Sequence, residues 1–288
     1  MNFRLLGLVA LLALASGAAS ARGMVWQVSD ADNTVYLAGS VHLLPPSAYP
    51  LPEAFERAYE NAAIVAFETD IGELQSSATQ TRLFQAARYP DGTGLEDHLD
   101  DALYARVAEL LDEMGQSVSA LRSFRPWFIA GMIEVQAFMA EDFRQDLGLD
   151  THFHERAVDD DKAILPLETL DRHLAVLTKM PADMARDYLA ATVDNVAALT
   201  DAPAAVFDFW REGDAAGLAA YVEEQIDDTP ALYERLLFSR NDDWMEHIEA
   251  LLAGSDDAMV LVGTLHLVGE HGLIEQLRSA GHRLERVE

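Results

Sequence analysis

Apolar runs of β-type composition fall near the two ends of the chain, and helix-period patterns fill the space between them. Met24 to Ser29 alternates apolar and polar positions, Asp30-Ala31-Asp32-Asn33 is rich in turn formers, and Thr34 to Ala38 reads as the returning arm of a hairpin. Ile64 to Phe67 and Ala163 to Leu165 are short apolar runs of buried-strand type, Ala258 to Val262 is another, and Arg283 to Val287 reads as a last strand. A helix is predicted from Pro52 to about Asn61, with proline in its first turn. Leu103, Val107, Leu110, Leu111 and Met114 recur at helical spacing and make one apolar face. Gly148 interrupts the pattern, and Asp150 is placed to cap a helix over Thr151 to about Val158. Pro181, Pro203, Gly213 and Pro230 punctuate a second long helical region, and Gly281 ends a helix over Leu273 to Ala280. The pattern predicts one α/β domain over residues 22–288. Its central sheet is mixed and partly parallel, built from both chain ends, with large helical insertions at about 72–150 and 169–252.

One phrase occurs twice in this pattern. Val35-Tyr36-Leu37-Ala38-Gly39-Ser40-Val41-His42 and Met259-Val260-Leu261-Val262-Gly263-Thr264-Leu265-His266 each run from an apolar strand through glycine to histidine. If the two strands are parallel in one sheet, both histidines emerge at its carboxyl edge, where open α/β sheets place their sites. Glu68 and Glu168 end two further short strands and reach the same edge on the same condition. The glycines are expected to let the backbone turn sharply beside a ligand.

Composition narrows the chemistry. There is no cysteine, which excludes disulfide scaffolds, thiol catalysis and zinc–thiolate sites, so any metal is held by nitrogen and oxygen. The formal charge of −29, with Lys162 and Lys179 the only lysines, disfavours nucleic acid and anionic membrane surfaces as partners. Arg4, the apolar Leu5 to Ala15 and Ala19-Ser20-Ala21 read as a signal peptide over residues 1–21. Export to the periplasm or medium is expected, with no stable membrane insertion after cleavage. His-Glu-x-x-His, Gly-x-Ser-x-Gly and Walker A motifs are absent.

Two imidazoles and one or two carboxylates suit a divalent ion with an open water position, and a nearby carboxylate can take the water's proton. Each residue also has a structural reading. A histidine after a strand is often a hydrogen-bonded loop residue, and Glu68 or Glu168 could be a first-turn helix carboxylate. On that reading Glu68→Gln lowers stability and spares activity; if Glu68 is base or ligand, the substitution is expected to cost little stability. His152 and His154, two apart on a helix, point to opposite faces, so they are not paired as ligands. His98, His173, His247, His271 and His282 are read as surface or packing residues.

The chain resembles the TraB/GumN family, which includes the Tiki-type metalloproteases. The matching phrases are Tyr36 to His42, Val65-Ala66-Phe67-Glu68-Thr69-Asp70, Gly148-Leu149-Asp150-Thr151-His152-Phe153, Leu167-Glu168-Thr169, Arg240-Asn241-Asp242-Asp243-Trp244 and Val262 to Gly269, in family order. The resemblance implies a core of His42, Glu68 and His266, and for Tiki-type members a divalent metal, manganese or cobalt, and peptide-bond hydrolysis; zinc also suits such ligands. It extends to erythromycin-esterase-like hydrolases, which need no metal, and to haem-binding relatives. The expectation is therefore an exported metal-dependent hydrolase, a peptidase, acting on a peptide or small molecule. His42, Glu68 and His266 hold the metal or activate its water; Gly39, Asp150, His152, Glu168 and Gly263 support them. Arg240 and Asn241 bind substrate, or Arg240 braces the fold through a buried salt bridge. The alternatives are a non-catalytic peptide- or haem-binding protein and a metal-independent esterase.

Overall fold

The structure, a computed structural model, describes residues 22–90 and 92–287; the expected signal peptide lies outside the described residues. Six strands form one sheet: β1 (Val25–Ser29), β2 (Thr34–Ser40), β3 (Ile64–Phe67), β4 (Ala163–Pro166), β5 (Ala258–Gly263) and β6 (Leu284–Arg286), in the order β4-β3-β5-β2-β1-β6. β4, β3, β5 and β2 run parallel, and β1 is antiparallel to both of its neighbours. The first and last thirds of the chain thus meet in mid-sheet, where Ser40 is level with Gly263 and Phe67 with Leu261.

Local chemistry explains the pieces. The β1–β2 hairpin closes over four residues, with Asp30 Oδ1 accepting the backbone N–H groups of Asp32 and Asn33. β3 and β5 are apolar almost throughout and buried, as expected of parallel strands covered on both faces. Against the sheet lies an aromatic cluster of Phe55, Phe153 and Trp210, and the buried Trp210 indole donates to the Gly39 carbonyl at 2.8 Å. That bond ties the second helical region to the strand before His42. The two helical regions also share a second apolar cluster, in which Trp127, Ile129 and Ile133 pack with Leu189 and Leu232. Among the described residues, no helix is long and apolar enough to cross a membrane.

The helix expected from Thr151 starts earlier, over Leu149–Asp159, with Gly148 rather than Asp150 at its cap position. Its start packs onto the loop after β2: Leu149 N–H donates to the Val41 carbonyl at 3.2 Å. A Cβ on Gly148 would stand 2.1 Å from the His42 carbonyl oxygen, so only glycine allows this approach. Asp150 is thereby freed from capping and turned inward, where it is buried. Gly148→Ala should therefore cost about 1–3 kcal/mol, the usual range for overpacking, and shift the loop carrying His42. Gly131→Ala, where a Cβ meets nothing within 4 Å, should be neutral or stabilising in the same urea titration. Equal stabilities for the two variants would contradict the close-packing account.

Candidate functional site

The carboxyl ends of the four parallel strands supply the site. His42 lies two residues beyond β2, Glu68 directly beyond β3 and Glu168 just beyond β4. His266 closes a single 3-10 turn, Thr264–His266, after β5. Above this edge runs the helix Ser239–Leu252, preceded by the π-helical turn Glu234–Phe238. Arg240, Asn241 and Trp244 all face inward from it and are buried.

Arg240 is the hub of the buried part. Its Nη2 donates to Glu68 Oε2 and Glu168 Oε1, each at 2.6 Å; its Nε donates to Glu168 Oε1 at 3.1 Å, and its Nη1 to the Leu236 carbonyl at 3.1 Å. The guanidinium also lies 4.6 Å over the Trp244 ring. Burial alone would raise the Glu68 carboxyl, but the Arg240 guanidinium holds it well below the usual carboxylate range. Glu68 Oε1 accepts the Gly263 N–H at 2.8 Å, so each carboxylate oxygen is fixed by its own donor. Glu168 Oε2 is buried without a hydrogen-bond partner.

The two motif histidines are held in one manner, each by its Nδ1. Asn241 Nδ2 donates to the carbonyls of His266 and His271, which fixes the amide's orientation and leaves Oδ1 to accept from His266 Nδ1 at 2.6 Å. His266 is thus the Nδ1–H tautomer, with its Nε2 lone pair 3.2 Å from Arg240 Nη1 and 3.8 Å from Glu68 Oε1. Burial pushes this ring down to about 3, Glu68 opposes the shift and Arg240 adds to it, so the imidazole is neutral. His42 Nδ1 lies 2.7 Å from Asp150 Oδ2, and Ser40 Oγ donates to Asp150 Oδ1 at 3.0 Å. Attraction by Asp150 lifts the His42 ring to about 9. The side chain is 61% exposed, so water screens part of this attraction, and the upward direction is what matters.

A Cβ built on Gly263 would lie 3.2 Å from Glu68 Oε1, 3.5 Å from His266 Cδ2 and 3.8 Å from His42 Nε2. The space that any other side chain would fill is a cradle lined by one carboxylate oxygen and both motif rings. Neither Gly263 nor Gly39 has positive φ, so the expected sharp turn is not their role; the value of Gly263 is the room it leaves. The donors around the cradle are of the types that a divalent ion takes, but His266 turns Cδ2 to it and its Nε2 accepts from Arg240 Nη1 at 3.2 Å, so an ion there would have to displace that contact. The donors are nitrogen and oxygen, and each ring has its Nδ1 held by an acceptor, the usual orientation of a ligating imidazole. Among the described residues, Glu68, Glu168 and His173 bring donor atoms within 4.8 Å of one another, and Arg240 Nη2, 3.2 Å from His173 Nδ1, already supplies positive charge among them, as Nη1 does beside His266 Nε2.

Other expected residues take different places. Arg240 and Asn241 brace the cluster from within; their polar atoms are engaged by protein groups. His152 packs edge-on against Tyr49 at 5.4 Å, and His154 against Phe67 at 5.8 Å, on the opposite faces expected of their spacing. Glu68 is buried and ion-paired, so the expectation that Glu68→Gln is nearly free of stability cost is withdrawn. His173, read as a surface or packing residue, lies 2.8 Å from Glu168 Oε1. Its signal was a position in the first turns of a helix starting directly after Glu168.

With this geometry in view, comparison with known proteins is informative. The sequence model described as the TraB/PrgY/gumN family matches residues 24–286. The chain belongs to this family. It is similar to YbaP of Escherichia coli (strain K12), an uncharacterized protein, with 24% identity over 243 residues, 84% of this chain and 87% of that protein. YbaP of Shigella flexneri matches with the same identity and coverage. No solved structure matches.

Arg240→Met would leave two buried carboxylates without their cation. We expect a loss of about 3–5 kcal/mol in urea unfolding, as for other broken buried pairs. A loss below about 1 kcal/mol would show that the guanidinium is not the cluster's anchor.

Proposed function

We propose that the chain is an exported hydrolase, a peptidase, that activates water at the cradle between His42, Glu68 and His266. The observation that carries the reading is the convergence of these three side chains, from three different strand ends, on the space left by Gly263. A divalent ion held there by the Nε2 atoms of both histidines and by Glu68 would lower the pKa of its water toward neutrality.

The chain's own groups divide the remaining work. Glu68 is ionised, and Oε1, which also accepts the Gly263 N–H, faces the cradle, where it either ligates the ion or takes the water's proton. Arg240 fixes Oε2 of the same carboxylate and keeps it charged. Asp150, itself held by Ser40, fixes the His42 ring, and Asn241 fixes the His266 ring with Nε2 inward. A neutral His266 needs no deprotonation to ligate, only release of its Nε2 from Arg240 Nη1. His42 must give up its proton to do so, which makes ion binding weaker in acid. The signal-like segment before residue 22 supports export. The resemblance to Tiki-type proteins supports a peptide substrate.

Glu68→Gln tests the reading. The amide keeps the shape and can still accept from Arg240 but cannot take a proton. Release of new amino termini from a peptide library should fall by a factor on the order of 10² or more. The protein should remain folded by circular dichroism, with a lowered melting temperature because the ion pair is lost. Unchanged hydrolysis by the folded variant would remove Glu68 from the chemistry.

A further inference from the structure

A further carboxyl group, half-buried, lies next to the site and plays no part in it. Glu134 projects from the helix Pro126–Ala140 into a cavity of about 250 Å³. Tyr188 Oη donates to its Oε2 at 2.6 Å, and Thr192 Oγ1 approaches its Oε1 at 3.5 Å. Among the described residues no lysine, arginine or histidine pairs with it. This sets it apart from Glu68 and Glu168, which share a guanidinium. Burial pushes the Glu134 carboxyl up, as expected of a carboxylate without a counter-ion.

The cavity and the cluster share walls. Leu265, which lines the cavity, stands between Thr264 and His266. Leu236, also in the lining, accepts from Arg240 Nη1 through its carbonyl. Leu232 and Leu237 make further apolar wall, and Tyr233 adds an aromatic one. The space is smaller than a typical pocket for a drug-sized ligand and suits one long side chain.

We propose that this cavity is a specificity pocket for a basic side chain of the substrate, its aliphatic stem along the leucines and its cation on Glu134. The proposal rests on the hydrolase reading above for the word substrate. Three features favour a cation over a neutral group. The one charged residue in the lining is an unpaired carboxyl, approached only by neutral hydroxyls. The walls match the methylene stem that lysine and arginine bury while keeping the charge on a polar partner. A chain of formal charge −29 draws cationic peptides toward its surface. On binding, the carboxylate pairs with the incoming cation.

Calorimetric titration of the full chain with N-acetyl-arginine amide, N-acetyl-norleucine amide and N-acetyl-glutamine amide tests this without turnover. The arginine compound should bind at least tenfold more tightly than the norleucine compound. Glu134→Gln should abolish that preference, and Leu232→Trp, which fills the cavity and keeps the carboxyl, should block binding. Equal affinities for arginine and norleucine compounds, no binding of either, or unchanged arginine binding in folded Glu134→Gln would overturn the proposal. A preference for the glutamine compound would also overturn it, making the pocket one for neutral amides. Binding read in this way is independent of hydrolysis, which stands or falls with Glu68→Gln.

Discussion

One guanidinium between two buried carboxylates is the constraint on which the rest of the sheet edge depends. Glu68 and Glu168 leave adjacent parallel strands, and the backbone ladder continues past the strand ends to bring them side by side, with Glu168 N–H on the Glu68 carbonyl at 2.9 Å. Two buried negative charges so close require a cation. Arg240 supplies it, and in doing so fixes the helix Ser239–Leu252 over the sheet. Asn241 follows from that placement, and the His266 tautomer follows from Asn241.

The same placement separates two kinds of histidine. His266 is enclosed, neutral and held through Asn241; His42 is exposed on its outer side and held through Asp150. His42 turns Nε2 toward the space above Gly263, whereas His266 turns Cδ2 to it and Nε2 to Arg240. The helix start at Gly148, pressed against the His42 carbonyl, is what brings Asp150 within reach. A contact with a residue more than 100 positions away therefore sets the ring's position.

Much of this was legible in the sequence, and the reasons are specific. Apolar runs ending in Gly-x-x-His marked β2 and β5, and the parallel pairing on which a shared site depended is what the sheet has. The runs before Glu68 and Glu168 marked the other two parallel strands. Short-range pattern failed where long-range packing decided. Asp150 reads as a helix cap because aspartate before an apolar run usually is one; the actual cap, Gly148, was chosen by a steric contact with a residue more than 100 positions away. His173 was passed over because nothing local distinguishes a histidine on a polar helix face from one reaching across to a buried glutamate. Arg240 as hub, rather than substrate clamp, required knowing that both carboxylates were buried. The Glu134 cavity left no motif at all, since it forms only when two separate helical regions pack together.

The central claim is that His42, Glu68 and His266 form one ligand cradle braced, and not filled, by Arg240. The most direct measurement is metal stoichiometry by calorimetric titration of the chelator-treated protein with Mn²⁺ and Co²⁺. The account predicts one equivalent bound, loss of that binding in His42→Ala and in His266→Ala, and its retention in His152→Ala. Absence of stoichiometric binding by the wild-type protein, or binding that survives both motif substitutions, would contradict it.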